Sequence, residues 1–205
     1  MHDHSRTSEP PRWFTETGPD HSNWYIERFR TMASEGADLA GEARLVDALV
    51  PPGARVLDAG CGPGRLGGEL HRRGHTVVGV DVDPALIAAA EEDHPGPTWL
   101  VGDLSTFDIT AEHERFDLAV LAGNVLLFVA PETEPLVLER VAAHVVPGGR
   151  IVTGFRTTGS YALERFDEDL DRLGLRVEHR LGTWDLVPLA DDSDFAVTIL
   201  RTPTP

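Results

Sequence analysis

The sequence predicts an α/β fold, doubly wound around a mostly parallel seven-stranded sheet that ends in a C-terminal antiparallel hairpin. Three observations predict it. From residue 54 onward, short β-rich apolar runs alternate with helical patterns. Those runs are apolar on both faces, as strands covered by helices on both sides must be. The last two runs are joined by a polar stretch without helical periodicity, so no crossover is available and they should pair antiparallel.

The elements follow in order. Residues 1–12 are polar, histidine-rich and proline-terminated, and are expected to form a poorly ordered tail in which the His2/His4 pair makes no metal site. Tyr25, Ile26, Phe29 and Met32 recur at three and four, which predicts a helix from Trp24 to Met32. A second helix, 41–50, stops at Pro51-Pro52-Gly53. Residues 13–50 are therefore expected to be a helical lid segment on a domain spanning 51–205. Within that domain, strands are expected at 54–60, 75–82, 98–104, 116–124, 149–155, 175–181 and 195–202. Helices are expected at 65–73, at 84–92 with a proline in its first turn, at 132–146 and at 161–173.

Composition narrows the function. The 205 residues suffice for one sizeable core. Acids number 34 against 18 basic residues, a net charge of −16, so the field repels polyanions and nucleic acid is not expected as a partner. Every basic residue is arginine, which excludes a lysine Schiff base and a Walker A lysine. The single cysteine, Cys61, cannot form an internal disulfide. The apolar stretch Val125 to Ala130 is far shorter than the ~20 residues of a membrane helix, and the N-terminus has no apolar signal core, so a cytoplasmic protein that does not engage membranes is expected.

The stretch VLDAGCGPG, Val56 to Gly64, carries the chemistry. Glycines at the carboxyl end of the first strand let a ligand approach backbone, and such sheets bind ligands there. Asp81 lies 21 residues after Gly60 (81 − 60), where a ribose-binding acid of a dinucleotide site would stand. The dinucleotide pattern GxGxxG/A, however, would place its third small residue at Arg65. The spacing is GxGxG instead, and Asp58 puts negative charge near the place of a pyrophosphate.

Together these motifs resemble the class I S-adenosylmethionine-dependent methyltransferases, whose fold is Rossmann-like. VLDAGCGPG is similar to their first motif, VGVDVDP to the second and VGDL to the third, while FDLAVLAGN matches the fourth strand and VVPGGRIVTGF the turn into the fifth. The resemblance implies S-adenosylmethionine as cofactor and S-adenosylhomocysteine as product. It implies that Asp58 orients the loop and approaches the ligand's ammonium directly or through water, that Gly60, Cys61 and Gly62 pass under its methionine part, and that Asp81 holds the ribose diol with Val82 against adenine. Asp103 and Leu104 would contact the adenine edge, and Gly123 and Asn124 would lie beside the methyl group. Candidate substrate contacts are Tyr25 on the N-terminal helix, Arg30 and Arg156.

No metal site is indicated, and neither His21, His144 nor His179 is placed as a base by a motif. The run Asn124-Val125-Leu126-Leu127 departs from the Asn/Asp-Pro-Pro-aromatic pattern of enzymes acting on nucleic-acid bases. A small-molecule acceptor, uncharged or cationic, is therefore expected. A noncatalytic S-adenosylmethionine-binding module is the alternative, and an NAD-dependent oxidoreductase the weaker one.

Overall fold

A computed structural model describes residues 9–204. Three helices lead in: α1 (Arg12–Thr15), α2 (His21–Ser34) and α3 (Gly41–Leu49). The alternation follows as β1 (Arg55–Ala59), α4 (Arg65–Arg72), β2 (Thr76–Asp81), α5 (Pro84–Asp93), β3 (Thr98–Val101), β4 (Phe116–Leu121), α6 (Val125–Phe128), α7 (Glu134–His144) and β5 (Val145–Arg156). It closes with α8 (Leu163–Leu173), β6 (Arg176–Leu181) and β7 (Phe195–Arg201).

The sheet order is β3-β2-β1-β4-β5-β7-β6. Strands β1 to β5 pair parallel, whereas β7 runs antiparallel between β5 and β6, as the missing crossover required. Chain order reverses between β1 and β4, which makes the crevice at their carboxyl ends the place for a ligand.

Alternate residues of each strand enter two cores. Val56, Leu118, Val120 and Val152 pack on one face with Val46, Leu66 and Leu70 of α3 and α4. Leu57, Val78, Ala119 and Ile151 pack on the other with α7 and α8. Among the described residues no helix is long and apolar enough to cross a membrane.

The differences from the sequence reading lie at ends and in single turns. Helices α1 and α6 are four residues each, too short to show a period. The second helix starts at His21 rather than Trp24, and the seventh at Glu134, because Glu132 takes a left-handed φ of 64°. Strand β4 stops at Leu121, and Asn124 turns the chain with φ 66°. Of the expected tail, residues 1–8 lie outside the described ones. Pro11 and Arg12 are instead placed against the body of the domain.

Candidate cofactor site

The glycine loop is built by hydrogen bonds back to the end of β2. Gly60 and Cys61 donate their N–H groups to the Val80 carbonyl at 2.8 and 3.1 Å, and Gly62 donates to Asp81 Oδ2 at 2.9 Å. Gly64 N–H donates to the Cys61 carbonyl at 3.1 Å, and Pro63 has no N–H to offer. Gly60, at φ 78°, also has Val125 so close that an added Cβ would lie 2.5 Å from its side chain. The loop therefore approaches a ligand with bare backbone while its donors are already engaged. A pyrophosphate needs such donors free.

Asp58 stands beneath the loop, fully buried, and its Oδ2 accepts the Gly67 N–H of α4 at 2.9 Å. A protein carboxyl group thus occupies the place at this helix N-terminus where a ligand's anion would otherwise sit. Burial pushes its carboxyl up to about 7, against the pull of the Gly67 hydrogen bond and of Arg65.

A cavity of about 610 Å³, open mouth included, lies over Gly60, Gly62, Asp81, Val82, Asp103, Leu104 and Gly123. These seven candidates line one cavity. Asp81 ends β2 with Oδ1 accepting the Asp83 N–H at 3.0 Å and Oδ2 accepting Gly62 N–H, and burial pushes its carboxyl up to about 6. Asp103 turns the chain after β3, its Oδ1 accepting the N–H and hydroxyl of Ser105 at 2.8 and 2.7 Å. Tyr25 also lines the cavity, its ring edge 3.6 Å from where a Gly62 Cβ would be and its hydroxyl 3.8 Å from that of Gly123. Burial raises the phenol's pKa and keeps it protonated.

The other candidates do not line the cavity. Cys61 turns its buried thiol into a cluster with Ile87, Ala90 and Trp99, where burial raises its pKa far above the thiol range. Asn124 is tied down as a corner: its N–H donates to the Gly154 carbonyl at 3.1 Å and its Oδ1 accepts the Arg156 N–H at 2.9 Å. Arg156 carries an exposed side chain beyond β5. Arg30 lies five residues from Tyr25, roughly 140° around the helix, and binds Asp93, Glu92 and Glu27 on the outer surface. That rotation corrects the pairing of Arg30 with Tyr25 as substrate contacts.

Sequence reasoning missed Pro11, Trp13, Leu86, Phe128 and Val129 in the cavity wall. Trp13 meets Tyr25 and Phe128 edge-on, with ring centroids 5.5 and 5.6 Å apart. Among the described lining residues there is no arginine or histidine. No group of three potential metal ligands occurs among the described residues.

Fold and cavity together define an α/β protein whose cavity, at the carboxyl ends of the parallel strands, is lined by two acids, Asp81 and Asp103, and by a glycine loop whose N–H groups are engaged within the protein. A methyltransferase domain model matches residues 56–149. The solved structure of a TehB-like SAM-dependent methyltransferase from Corynebacterium glutamicum is 42% identical, with a TM-score of 0.84 over 90% of this chain and all of that one. The chain belongs to the class I S-adenosylmethionine-dependent methyltransferases, whose cofactor is S-adenosylmethionine.

Among curated relatives, the magnesium-protoporphyrin O-methyltransferase of Rhodobacter capsulatus is 34% identical over 115 residues, 52% of this chain and 49% of the relative. The trans-aconitate 2-methyltransferase of Variovorax paradoxus is 35% identical over 129 residues, 62% of this chain and 48% of the relative. The chain spans about half the length of these curated relatives.

Proposed function

We propose that this protein transfers a methyl group from S-adenosylmethionine to a small-molecule acceptor by in-line displacement. The observation that carries the reading is the glycine loop with its N–H groups engaged, Gly62 by Asp81 itself, so that loop and acid line one cavity side by side. Such a site offers acceptors to a diol and bare backbone to a short side chain. When bound, the sulfonium supplies a methyl carbon whose bond to sulfur breaks as the acceptor's lone pair forms the new one, sulfur keeping the electron pair.

In this reading Asp81 accepts the two ribose hydroxyls through the lone pairs left after Gly62 and Asp83. Asp103 holds the adenine amino group, its position set by Ser105, and Leu104 with Val82 walls the ring. Gly60, Cys61 and Gly62 contribute backbone under the methionine part. Asp58 acts through α4 and the loop it underpins, and Asn124 fixes Gly123 beside the transfer site. Tyr25 closes that site from above. Holding the reactants in line can contribute about 7–11 kcal/mol. An acceptor that attacks through a lone pair without losing a proton then needs no base, whereas a hydroxyl or an ammonium must pass its proton to water or to a basic side chain.

The cavity wall without arginine or histidine, on a chain of net charge −16, favours an uncharged or cationic acceptor and disfavours nucleic acid. We place the protein in the cytoplasm, which one buried free cysteine suits.

Calorimetric titration with S-adenosylmethionine, S-adenosylhomocysteine and NADH tests the reading. Binding of the first two and not the third is expected, with Asp81→Ala weakening affinity by about tenfold or more, since hydrogen bonds to a charged group are lost. NADH binding, or unchanged affinity in Asp81→Ala, would overturn it.

A further inference from the structure

Two neighbouring residues of α1 are bonded to opposite banks of the cavity. Arg12 reaches the β4 side, where its Nη1 donates to Glu134 Oε1 at 2.9 Å and its backbone N–H to the Val129 carbonyl at 3.4 Å. Trp13 reaches the β2 side, where Nε1 donates to Asp83 Oδ2 at 2.8 Å. The same oxygen accepts the hydroxyl of Ser22 at the start of α2. Both carboxylates are buried, Glu134 2% and Asp83 4% exposed.

Asp83 does more than hold the segment. Its Oδ1 caps α5 by accepting the Ala85 N–H at 2.8 Å, and its own N–H fixes Asp81 Oδ1 at 3.0 Å. One residue thus sets the cavity's acid and fastens the chain that lies over it. Between the two attachments, Pro11, Trp13 and Tyr25 wall the cavity opposite Gly62 and Gly123.

We propose that residues 11–34 form a strap bolted across the cofactor cavity, by Arg12 to Glu134 on one bank and by Trp13 and Ser22 to Asp83 on the other, and that these bolts set the rate of cofactor exchange. Asp83 is then a positioning residue that couples the strap to Asp81. The inference rests on the S-adenosylmethionine reading of the cavity. Its physical basis is the weakness of α1 alone: a single helical turn has no stability of its own, so the bolts decide whether it stays in place. Bonds to buried ionised groups are the strong kind, and breaking them uncovers the cavity.

Two measurements test this: release of labelled S-adenosylhomocysteine chased with unlabelled ligand, and hydrogen exchange over residues 11–34. Trp13→Phe keeps the ring and loses the donor, and Arg12→Met loses the other bolt. Each is expected to release ligand about tenfold faster and the double variant faster still, with lowered strap protection both with and without ligand. A merely structural role would lower the melting temperature and leave release unchanged. Release at the parental rate despite lowered protection, or parental protection in both variants, would overturn the proposal. Should Trp13→Phe fail to fold, Ser22→Ala removes a bond to the same Asp83 oxygen and carries the test. If the parent binds no S-adenosylhomocysteine, the cofactor reading itself fails. If it binds and the variants release it normally, only the strap does.

Discussion

At the scale of single residues, the two raised carboxyls make opposite demands on pH. Ionised Asp81 presents both oxygens as charged acceptors to the ribose hydroxyls, whereas the protonated acid turns one of them into a donor and loses the charge, and burial has lifted its carboxyl to about 6. Cofactor affinity is therefore expected to hold at pH 7.5 and fall as pH drops through 6; calorimetry at pH 7.5 and 5 that gives equal affinities would contradict this. Asp58 concerns stability. Its folded value of about 7 lies above the ordinary 3.8, so native protein keeps a proton that the unfolded chain releases above about pH 4. The stability it contributes is full below pH 4 and is lost as pH rises to 7, at up to about 1.4 kcal/mol per pH unit. Asp58→Asn imitates the neutral acid, so it should gain on the parent across pH 4 to 7 and level off above. Urea melts at a series of pH values measure this, and a constant difference between the two proteins would show Asp58 ionised throughout.

At the scale of elements, the packing of α4 and α5 on the sheet turns on one side chain. Trp99 of β3 lies across β2 and under α4, with Nε1 donating to the His94 carbonyl at 3.0 Å. An added Cβ would stand 2.3 Å from its ring at Gly79, 2.8 Å at Gly67 and 3.0 Å at Gly64. Those glycines are the space into which the indole fits. Gly79→Ala should cost about 1–3 kcal/mol by overpacking, and Trp99→Ala about 3–5 kcal/mol by emptying the site. In the double variant the added methyl enters vacated space, so that variant's cost should be smaller than the sum of the two single costs, as a denaturant double-mutant cycle would show. Additive costs would mean the glycines serve another neighbour.

At the scale of the whole molecule, charge is the dominant fact. With 34 acids and 18 arginines, many arginines are engaged locally: Arg65 by Glu42, Arg180 by Asp167, and Arg150 and Arg201 jointly by Glu178. The remaining negative field acts on itself. Raising salt from about 0.01 to 0.15 M shortens the screening length from about 30 to 8 Å and should raise the melting temperature by relieving self-repulsion. A falling melting temperature would mean that the ion pairs, also screened by salt, outweigh the repulsion.

The alternation of strands and helices, the antiparallel close, the glycine loop, Asp81 at the end of its strand and Asp103 just beyond the next are all legible in the amino-acid order. Each of these is written locally, as periodicity, turn chemistry or spacing within about twenty residues, and local patterns survive folding. That Arg12 meets Glu134 across 122 positions and Trp13 meets Asp83 across 70 emerged only with the folded chain. The fold also decided that Asp58 lies under its loop rather than in the cavity, and that Arg30 turns outward to Asp93 while Tyr25, on the same helix, turns in. No local pattern encodes such pairings, because a single turn such as α1 or α6 exists only where distant neighbours hold it, and the facing of a side chain is set by whatever the completed sheet brings against it.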